Sequence, residues 1–522
     1  MERKRLKYPI GRQDFASIRE DGCVYVDKTD IIYNLVDNNK YVFLSRPRRF
    51  GKSLLLSTIR YYLEGRRDLF EGLRIMDLEK EWKKHPVFHL KLSRIDENEQ
   101  SSLEQLLEEQ FQVWEKEYEV TERYGTFSAR FSYLIRSAFE KSGRRVVILV
   151  DEYDNPLINT IHDTDLHERY KGLLKSIYVN FKDMDEYIHF AMLTGVSRFS
   201  KMTVFSGLNN LNDISFNEKY SSICGFTEKE IPGYLFEGVK SLAIKRDISE
   251  GKAMDLLKQA YDGYHFSENL LDIYNPFSLL RSLEAGKLDN YWTDSGTPSF
   301  LIKKLKETDE PFSELFQEEA DSTSLAAVDT AFTSPVALLY QTGYLTIKSY
   351  DKKENLYRLG VPNKEVREGF FSVVLQEFTL RDRMKGMRAT RRMKECLEEG
   401  KPDEFLKRVE SFFAGISYVM TSKAPEMYFE NNLYIMLQMM GVDVISEDET
   451  SDGRIDLTIK TKGYIYIIEI KKDRNAIDAL AQIENKRYAL KYRHDGRKIF
   501  KIGINFSSRK RNITDWEIKQ SD

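Results

Sequence analysis

Apolar positions in the first two hundred residues fall into short blocks separated by stretches of helical period. YVFLS (Tyr41–Ser45) predicts a short buried strand, and LLLSTIRYYLEG after it has helical spacing and stops at Gly65. PVFHLKL (Pro86–Leu92) predicts a second strand, and the Glu-, Leu- and aromatic-rich stretch from Ser101 to Lys141 a helix. RRVVILVDEYD contains an unbroken aliphatic run, Val146–Val150, the mark of a strand buried on both faces. YIHFAMLTG (Tyr187–Gly195) predicts another. Strands alternating with helices imply an α/β fold with a parallel sheet.

From about Thr227 the pattern is mostly helical, in EKEIPGYLFEGVKSLA and EGKAMDLLKQAYDGY. A β-hairpin is expected with strands near Tyr344–Tyr350 and Leu356–Val361, and with it a winged-helix-like region. A charged helical segment runs from Glu365 to about Phe413. PEMYFENNLYIMLQMMG then reads as a helix stopping at Gly441, RIDLTIK and YIYIIEIKK as paired strands around Lys462–Gly463, AIDALAQIENKRYAL as a helix and KIGINF as a last strand. These changes suggest four segments: 1–225 with the parallel sheet, a helical lid region at 226–375, a helical linker at 376–414, and a compact α/β module at 415–522.

The 522 residues fit three or four domains at roughly 100–200 residues each. With 41% hydrophobic and 31% charged residues the chain reads as soluble and globular. A net charge of −3 excludes a generally basic nucleic-acid coat but not local patches. The cysteines Cys23, Cys224 and Cys396 lie far apart without a CxxC, which argues against a disulfide framework or a cysteine zinc site. The histidines show no tight ligand spacing. No apolar run reaches the roughly 18–20 residues of a membrane span, and MERKRLKYPI lacks the apolar core of a signal peptide, so a reducing cytoplasm is expected.

Candidate chemistry begins at RPRRFGKSLLLSTI (Arg46–Ile59), which follows a buried strand and opens a helix. In that context GKS reads as a Walker A phosphate loop. The backbone of Arg46, Pro47, Arg48, Arg49, Phe50, Gly51 and Leu54 would cradle phosphates. Lys52 would reach the β- and γ-phosphates, and the Ser53 hydroxyl would ligate Mg²⁺. The usual first glycine is replaced by Arg46, and three arginines make an electropositive cradle. In VVILVDEYD, a Walker B strand, Asp151 would hold Mg²⁺ and Glu152 would serve as general base. Thr194, ending FAMLTG, is placed to sense the γ-phosphate. Arg198 is either an arginine finger, in cis or towards a neighbouring copy in a homo-oligomer, or one half of an ordinary ion pair.

In DGRIDLTIKTKGYIYIIEIKKD, Asp456 and Glu469 fall on adjacent strands, and Glu469 and Lys471 share one strand face. Two converging carboxylates suit Mg²⁺ or Mn²⁺, and a nearby ammonium can orient water or stabilise phosphate charge. The plain alternative is a hairpin with a solvated charged face. Glu469 argues against it, because it interrupts the apolar run IYIIEI, where a lone charge is costly.

With YVDKTDII, FLSRPRRFGKSLLLSTI, LFEGL, VVILVDEYDNPL, LTGVSRFSKMTVFSGLNNL, YDGYHF, YNPFSLL, YQTGYLTI and GVPNKEVR in view, the chain resembles bacterial AAA-ATPase-like proteins. In these a P-loop NTPase domain is joined to a C-terminal PD-(D/E)XK nuclease-superfamily domain of restriction-endonuclease-like α/β fold. The resemblance covers most of the first 370 residues through GRID and EIK to the C-terminal helix. It implies ATP binding with hydrolysis, and it makes the absent first glycine a family trait. It implies Gln482 as an additional site residue, Glu426 as the upstream acid with Glu430 as the alternative, and Glu447 at a position of unassigned role. Asp27 and Lys28 in YVDKT either approach the nucleotide or serve the structure.

The basic residues Lys486, Arg487, Arg493, Arg497, Lys498, Lys501, Arg509, Lys510 and Arg511 are either a DNA-facing surface or a solvated face. The expected function is an ATPase coupled to a metal-dependent nuclease, acting on DNA rather than RNA. The alternatives are an ATP-switched binding or regulatory protein that does not cut, and a chain that binds ATP without turnover.

Overall fold

The computed structural model describes residues 6–93, 102–122, 125–160, 163–198, 210–293, 299–308, 310–316, 319–326, 334–379, 383–415 and 425–521. The chain forms two compact units. Residues 1–291 and 319–363 make the first, and 292–318 and 364–522 make the second. The middle region, expected over 226–375, is therefore divided between them.

In the first unit β1 (Tyr41–Ser45), β2 (Val87–Lys91), β3 (Val146–Asp151), β4 (Ile188–Gly195) and β5 (Asn212–Asp213) form one sheet. The order is β2-β3-β4-β1-β5 and every pairing is parallel. Every residue of β1 and β3 is buried, as their unbroken apolar runs require. β4 is inserted between the strand that leads into GKS and the strand that ends in Asp151, so three strand ends converge at one edge. The helix Lys52–Leu63 starts directly after the loop and packs on β3 and β4.

The helix expected from Ser101 to Lys141 is two, Ser102–Glu117 and Phe127–Ser142. The second is opened by Thr126, whose hydroxyl accepts from the Ala129 N–H at 3.2 Å, a local bond that favours a helix start over continuation. The expected hairpin is β7 (Thr346–Asp351) and β8 (Leu356–Gly360), with the short β6 (Glu319–Ala320) against β8 and the helix Pro335–Thr342 before it.

The second unit is built on β9 (Asp443–Thr450), β10 (Gly453–Lys460), β11 (Tyr464–Lys472), β12 (Lys498–Ser507) and β13 (Asn512–Gln520), in the order β13-β12-β11-β10-β9. Only β11 and β12 run parallel, joined by the crossover helix Ala476–Asn485. That helix lies so close to β12 that a β-carbon on Gly503 would sit 2.3 Å from the Ala476 carbonyl oxygen. The charged stretch 365–413 is three helices, Lys364–Thr379, Arg383–Glu398 and Pro402–Ala414. They pack on the helix Pro425–Met440 and on β13, so residues 376–414 belong to the body of this unit. Residues 292–318 join it through the Phe312 N–H, which donates to Asn431 at 2.9 Å, and through the Phe316 ring, 4.9 Å from Phe371.

Candidate functional sites

The phosphate loop turns through two left-handed residues, Arg49 (φ 66°) and Gly51 (φ 95°), before the helix begins at Lys52. The first N–H groups of that helix have no acceptor within it, which makes its N-terminus an anion cradle. Lys52 is buried, and its Nζ donates to the carbonyls of Arg46 at 2.8 Å and Pro47 at 3.0 Å. Burial pulls its pKa down, against the nearby carboxylates of Glu152, Asp154 and Asp151. Ser53 and Leu54 follow in the first turn, both half-buried.

Facing them are the ends of β3 and β4. Asp151 is buried, and its Oδ1 accepts from the Thr194 hydroxyl at 2.9 Å. Thr194 thus fixes the orientation of the carboxylate expected to hold Mg²⁺. Glu152 has a left-handed backbone (φ 55°), a conformation that costs a non-glycine residue energy and recurs at functional sites. Burial first, and then the adjacent Asp151, push its carboxyl pKa up.

Asp154 went unrecognised in the sequence. It is 1% exposed and accepts from the backbone N–H groups of Val196 (2.9 Å) and Ser197 (2.6 Å) and from the Ser197 hydroxyl (2.6 Å). It clamps the turn after β4. Gly195 is required there, because a β-carbon would lie 2.6 Å from the Tyr153 ring. DEYD contains the signal, but spacing alone does not separate a carboxylate that holds a loop from one that faces solvent.

One arginine of the loop departs from expectation. The Arg46 guanidinium does not face the cradle. It is 1% exposed and donates to the carbonyls of Ser45 (2.9 Å), Ser215 (2.9 Å) and Tyr220 (3.3 Å), stacked 4.1 Å from the Phe266 ring. Arg48 and Arg49 are exposed, and Arg49 stacks on Phe277 at 4.1 Å. The electropositive cradle therefore rests on two arginine side chains, not three. Arg198 forms an ion pair with Asp213 and stacks over Phe216 at 4.8 Å, the pairing that was one of its two expected roles.

Phe50 is core, edge-on to Tyr264 at 4.8 Å and Phe266 at 5.4 Å. Those rings belong to YDGYHF, where a β-carbon on Gly263 (φ 88°) would lie 2.6 Å from the Pro362 carbonyl oxygen, and Asn363 donates to the Asp262 carbonyl at 3.0 Å. YDGYHF and GVPN thus buttress the phosphate loop from behind. Lys28 is paired with Glu230 at 2.5 Å, and Asp27 holds the N–H of Thr29 at 2.9 Å and of Arg74 at 2.8 Å, so both serve the structure.

These contacts separate two roles in one loop. Arg46→Met strands three carbonyls and is expected to cost about 2 kcal/mol, lowering the melting temperature by about 3 °C. Arg48→Ala, at an exposed side chain, is expected to change the melt less than Arg46→Met and to weaken the ATP binding proposed below. Thermal melts with and without ATP check both.

In the second unit Asp456 and Glu469 lie one step beyond the paired residues Leu457 and Ile468 of β10 and β11. The Asp456 Oδ2 accepts from the Ile470 N–H at 2.7 Å. Glu469 is 1% exposed, and its Oε1 accepts from Lys471 Nζ at 2.9 Å and from the Gln482 side-chain amide. Its Oε2 is buried with no hydrogen-bond partner. Asp456, Glu469, Lys471 and Gln482 therefore share one spot, and the close approach at Gly503 is what lets the crossover helix deliver Gln482. The Glu426 side chain lies outside the described residues, and Glu430 is exposed. Glu447 pairs with Arg454 at 3.0 Å. Among the described residues no cluster of three or more His, Cys, Asp or Glu could hold a metal, so the described acidic ligands here are a pair.

Burial, reinforced by Asp456, raises the Glu469 pKa to about 7 from 4.5. The folded protein then binds this proton more tightly than the unfolded chain. The group's contribution to stability is full below about pH 4.5 and is lost as pH rises to about 7. In EDTA, wild type is expected to lose stability relative to Glu469→Gln across that window, as denaturant melts at a series of pH values will read.

A sequence profile described as a predicted AAA-ATPase matches residues 9–205, and one described as the PD-(D/E)XK nuclease superfamily matches residues 424–516. A protein of Azotobacter chroococcum mcd 1, described as an uncharacterized protein in the vnfD 5' region, is 35% identical over 528 residues, spanning 99% of each chain. The chain belongs to the AAA-ATPase-like family. The fold of this AAA-ATPase-like protein is the expected one: a parallel α/β sheet domain, a mostly helical middle and a C-terminal nuclease-like sheet. Its domain families are those of ATPases and nuclease-like enzymes. Among the described residues no helix is long and apolar enough to cross a membrane.

Proposed function

We propose that this AAA-ATPase-like protein binds and hydrolyses ATP with Mg²⁺ in its first unit and cleaves nucleic-acid phosphodiesters, DNA in preference to RNA, in its second. The observation that carries the reading is Glu469. A buried carboxylate with one oxygen held by Lys471 and Gln482 and the other without a partner is unfavourable alone and favourable beside a cation.

Asp456 and Glu469 fit Mg²⁺ or Mn²⁺ as ligands, with Glu426 proposed to complete the set. Such an ion, when bound, neutralises phosphate charge and lowers the pKa of bound water. Lys471 holds the attacking water and the developing phosphate charge, and Gln482 keeps Glu469 oriented. In the first unit Lys52 contacts the β- and γ-phosphates, and Ser53 and Asp151 would hold Mg²⁺. Thr194 orients Asp151, and Glu152, poised by its raised pKa, takes a proton from the attacking water.

The test is ATP turnover and plasmid nicking by the purified full chain, with and without Mg²⁺ or Mn²⁺ and ATP, with single-stranded DNA and RNA as further substrates. Metal-dependent cutting is expected. Binding of nucleic acid without cutting under every condition replaces this reading with that of an ATP-switched binding protein.

A further inference from the structure

The basic residues of the C-terminal unit do not form one surface. Arg497 is paired with Asp495, Lys501 with Glu484 at 2.8 Å, and Lys491 with Asp448. Arg493 and Lys498 are exposed near the start of β12. At a strand rise of about 3.3 Å, Lys498, opposite Tyr464, lies about 23 Å along the sheet from Lys471.

At the Lys471 end a different group assembles. β11 and β12 are parallel and in register, Lys471 opposite Asn505 and Lys472 opposite Phe506, so the turn leaving β11 and the turn joining β12 to β13 emerge side by side. The two turns are tied together. Asp473 accepts from the backbone N–H of Ser508 at 2.9 Å and from its hydroxyl at 2.5 Å. The Asp473 N–H donates to the Phe506 carbonyl at 2.9 Å, and the Arg474 N–H to the Asn505 side chain at 3.0 Å. Asp473 (φ 52°) and Arg511 (φ 53°) bend the two turns through left-handed backbone.

The clamp gathers Lys472, Arg474, Arg509 and Lys510, all exposed, from two separated stretches of chain. Arg474, Arg509 and Lys510 make no ion pair with any described residue. Of the described carboxylates here, Asp473 has both oxygens committed to Ser508, and Asp515 on β13 accepts from the Ala476 N–H at 3.4 Å.

We propose that this paired-turn rim binds the sugar-phosphate backbone of a nucleic-acid strand beside the Asp456–Glu469–Lys471 site. The proposal rests on the nuclease reading of that site. The Asp473–Ser508 clamp closes the same end of β11 that carries Lys471, two residues on, so a strand with its scissile phosphate at the site carries its flanking phosphates across the rim. Contacts of this kind position a substrate without reading its sequence. Affinity should therefore be salt-dependent and indifferent to base order.

The experiment uses the full chain carrying Lys471→Ala, which leaves the substrate intact, with Mg²⁺ and a fluorescein-labelled duplex read by anisotropy over a salt series. A rim variant adds Arg474→Ala, Arg509→Ala and Lys510→Ala. A control adds Lys462→Ala, Arg493→Ala and Lys498→Ala, the same charge change at the far end of the strands. The rim variant is expected to bind on the order of ten- to a hundredfold more weakly, with a log–log salt slope shallower by about two to three, while the control binds like its parent. Arg474→Lys with Arg509→Lys is expected to keep parental binding, which separates lost charge from lost structure. Parental affinity in the rim variant, or equal losses in rim and control, overturns the rim and leaves the nuclease reading standing. A parent that binds neither DNA nor RNA, together with a wild type that cuts neither, removes both.

Discussion

Lys52→Ala is expected to lower ATP turnover by on the order of 100- to 1,000-fold, the usual effect of deleting one preorganised charge at a transition state. The reason is geometric. The Lys52 ammonium is buried at the mouth of the loop, held by the Arg46 and Pro47 carbonyls and drawn towards Asp151 and Glu152. Alanine would strand those two buried carbonyls, as Arg46→Met strands three, so a fall in the melt of about 2 °C is expected beside the far larger loss of turnover. Asp151→Asn should keep nucleotide binding and lose Mg²⁺-dependent turnover, since the Thr194 hydroxyl bond can persist while the ligand charge is gone. A phosphate-release assay alongside binding of a fluorescent ATP analogue reads both. Turnover within twofold of wild type in Lys52→Ala would falsify the phosphate-loop assignment.

In the second unit, Asp456→Ala should lose both metal binding and cleavage, the latter by on the order of 1,000-fold. Lys471→Ala should keep the metal and lose most of the rate. Removal of its ammonium frees the Glu469 Oε1 for other partners but leaves both carboxylates in place. ATP turnover should survive both changes, because those residues belong to the other unit. Calorimetric titration with Mn²⁺ and a nicking assay separate the two variants. Cleavage that persists in Asp456→Ala would mean the cutting residues lie elsewhere.

Strands buried on both faces were legible in the sequence, because burial leaves an unbroken apolar run: β1, β3 and β4 needed only their own residues. The sheet edges were not. β9 (DVISEDET) and β13 (NITDWEIKQ) are acidic or alternating strands, and charge on an edge strand keeps it from pairing with another chain. At the sites, Lys52, Asp151, Asp456, Glu469 and Lys471 were legible from chemistry fixed by short spacing. Asp154 and the inward turn of Arg46 were not. Each depends on a partner far along the chain, Ser197 for one and the Ser215 and Tyr220 carbonyls for the other. Local pattern carries no record of such pairings.

The interlaced division of the chain has an evolutionary consequence. The path crosses from the first unit to the second at 292, returns at 319 and crosses again at 364. No single recombination point separates the two. A crossover near 364 that exchanged the C-terminal half would leave Phe312 and Phe316 of the recipient facing a unit that lacks its own Asn431, Phe371 and Tyr434. One placed before 292 would strip the first unit of its hairpin and of the Asn363 prop behind the phosphate loop. The two halves are therefore expected to be inherited as a pair. Relatives are expected to diverge along their whole length together rather than by exchange of interchangeable modules, in keeping with an Azotobacter relative that aligns over 99% of both chains.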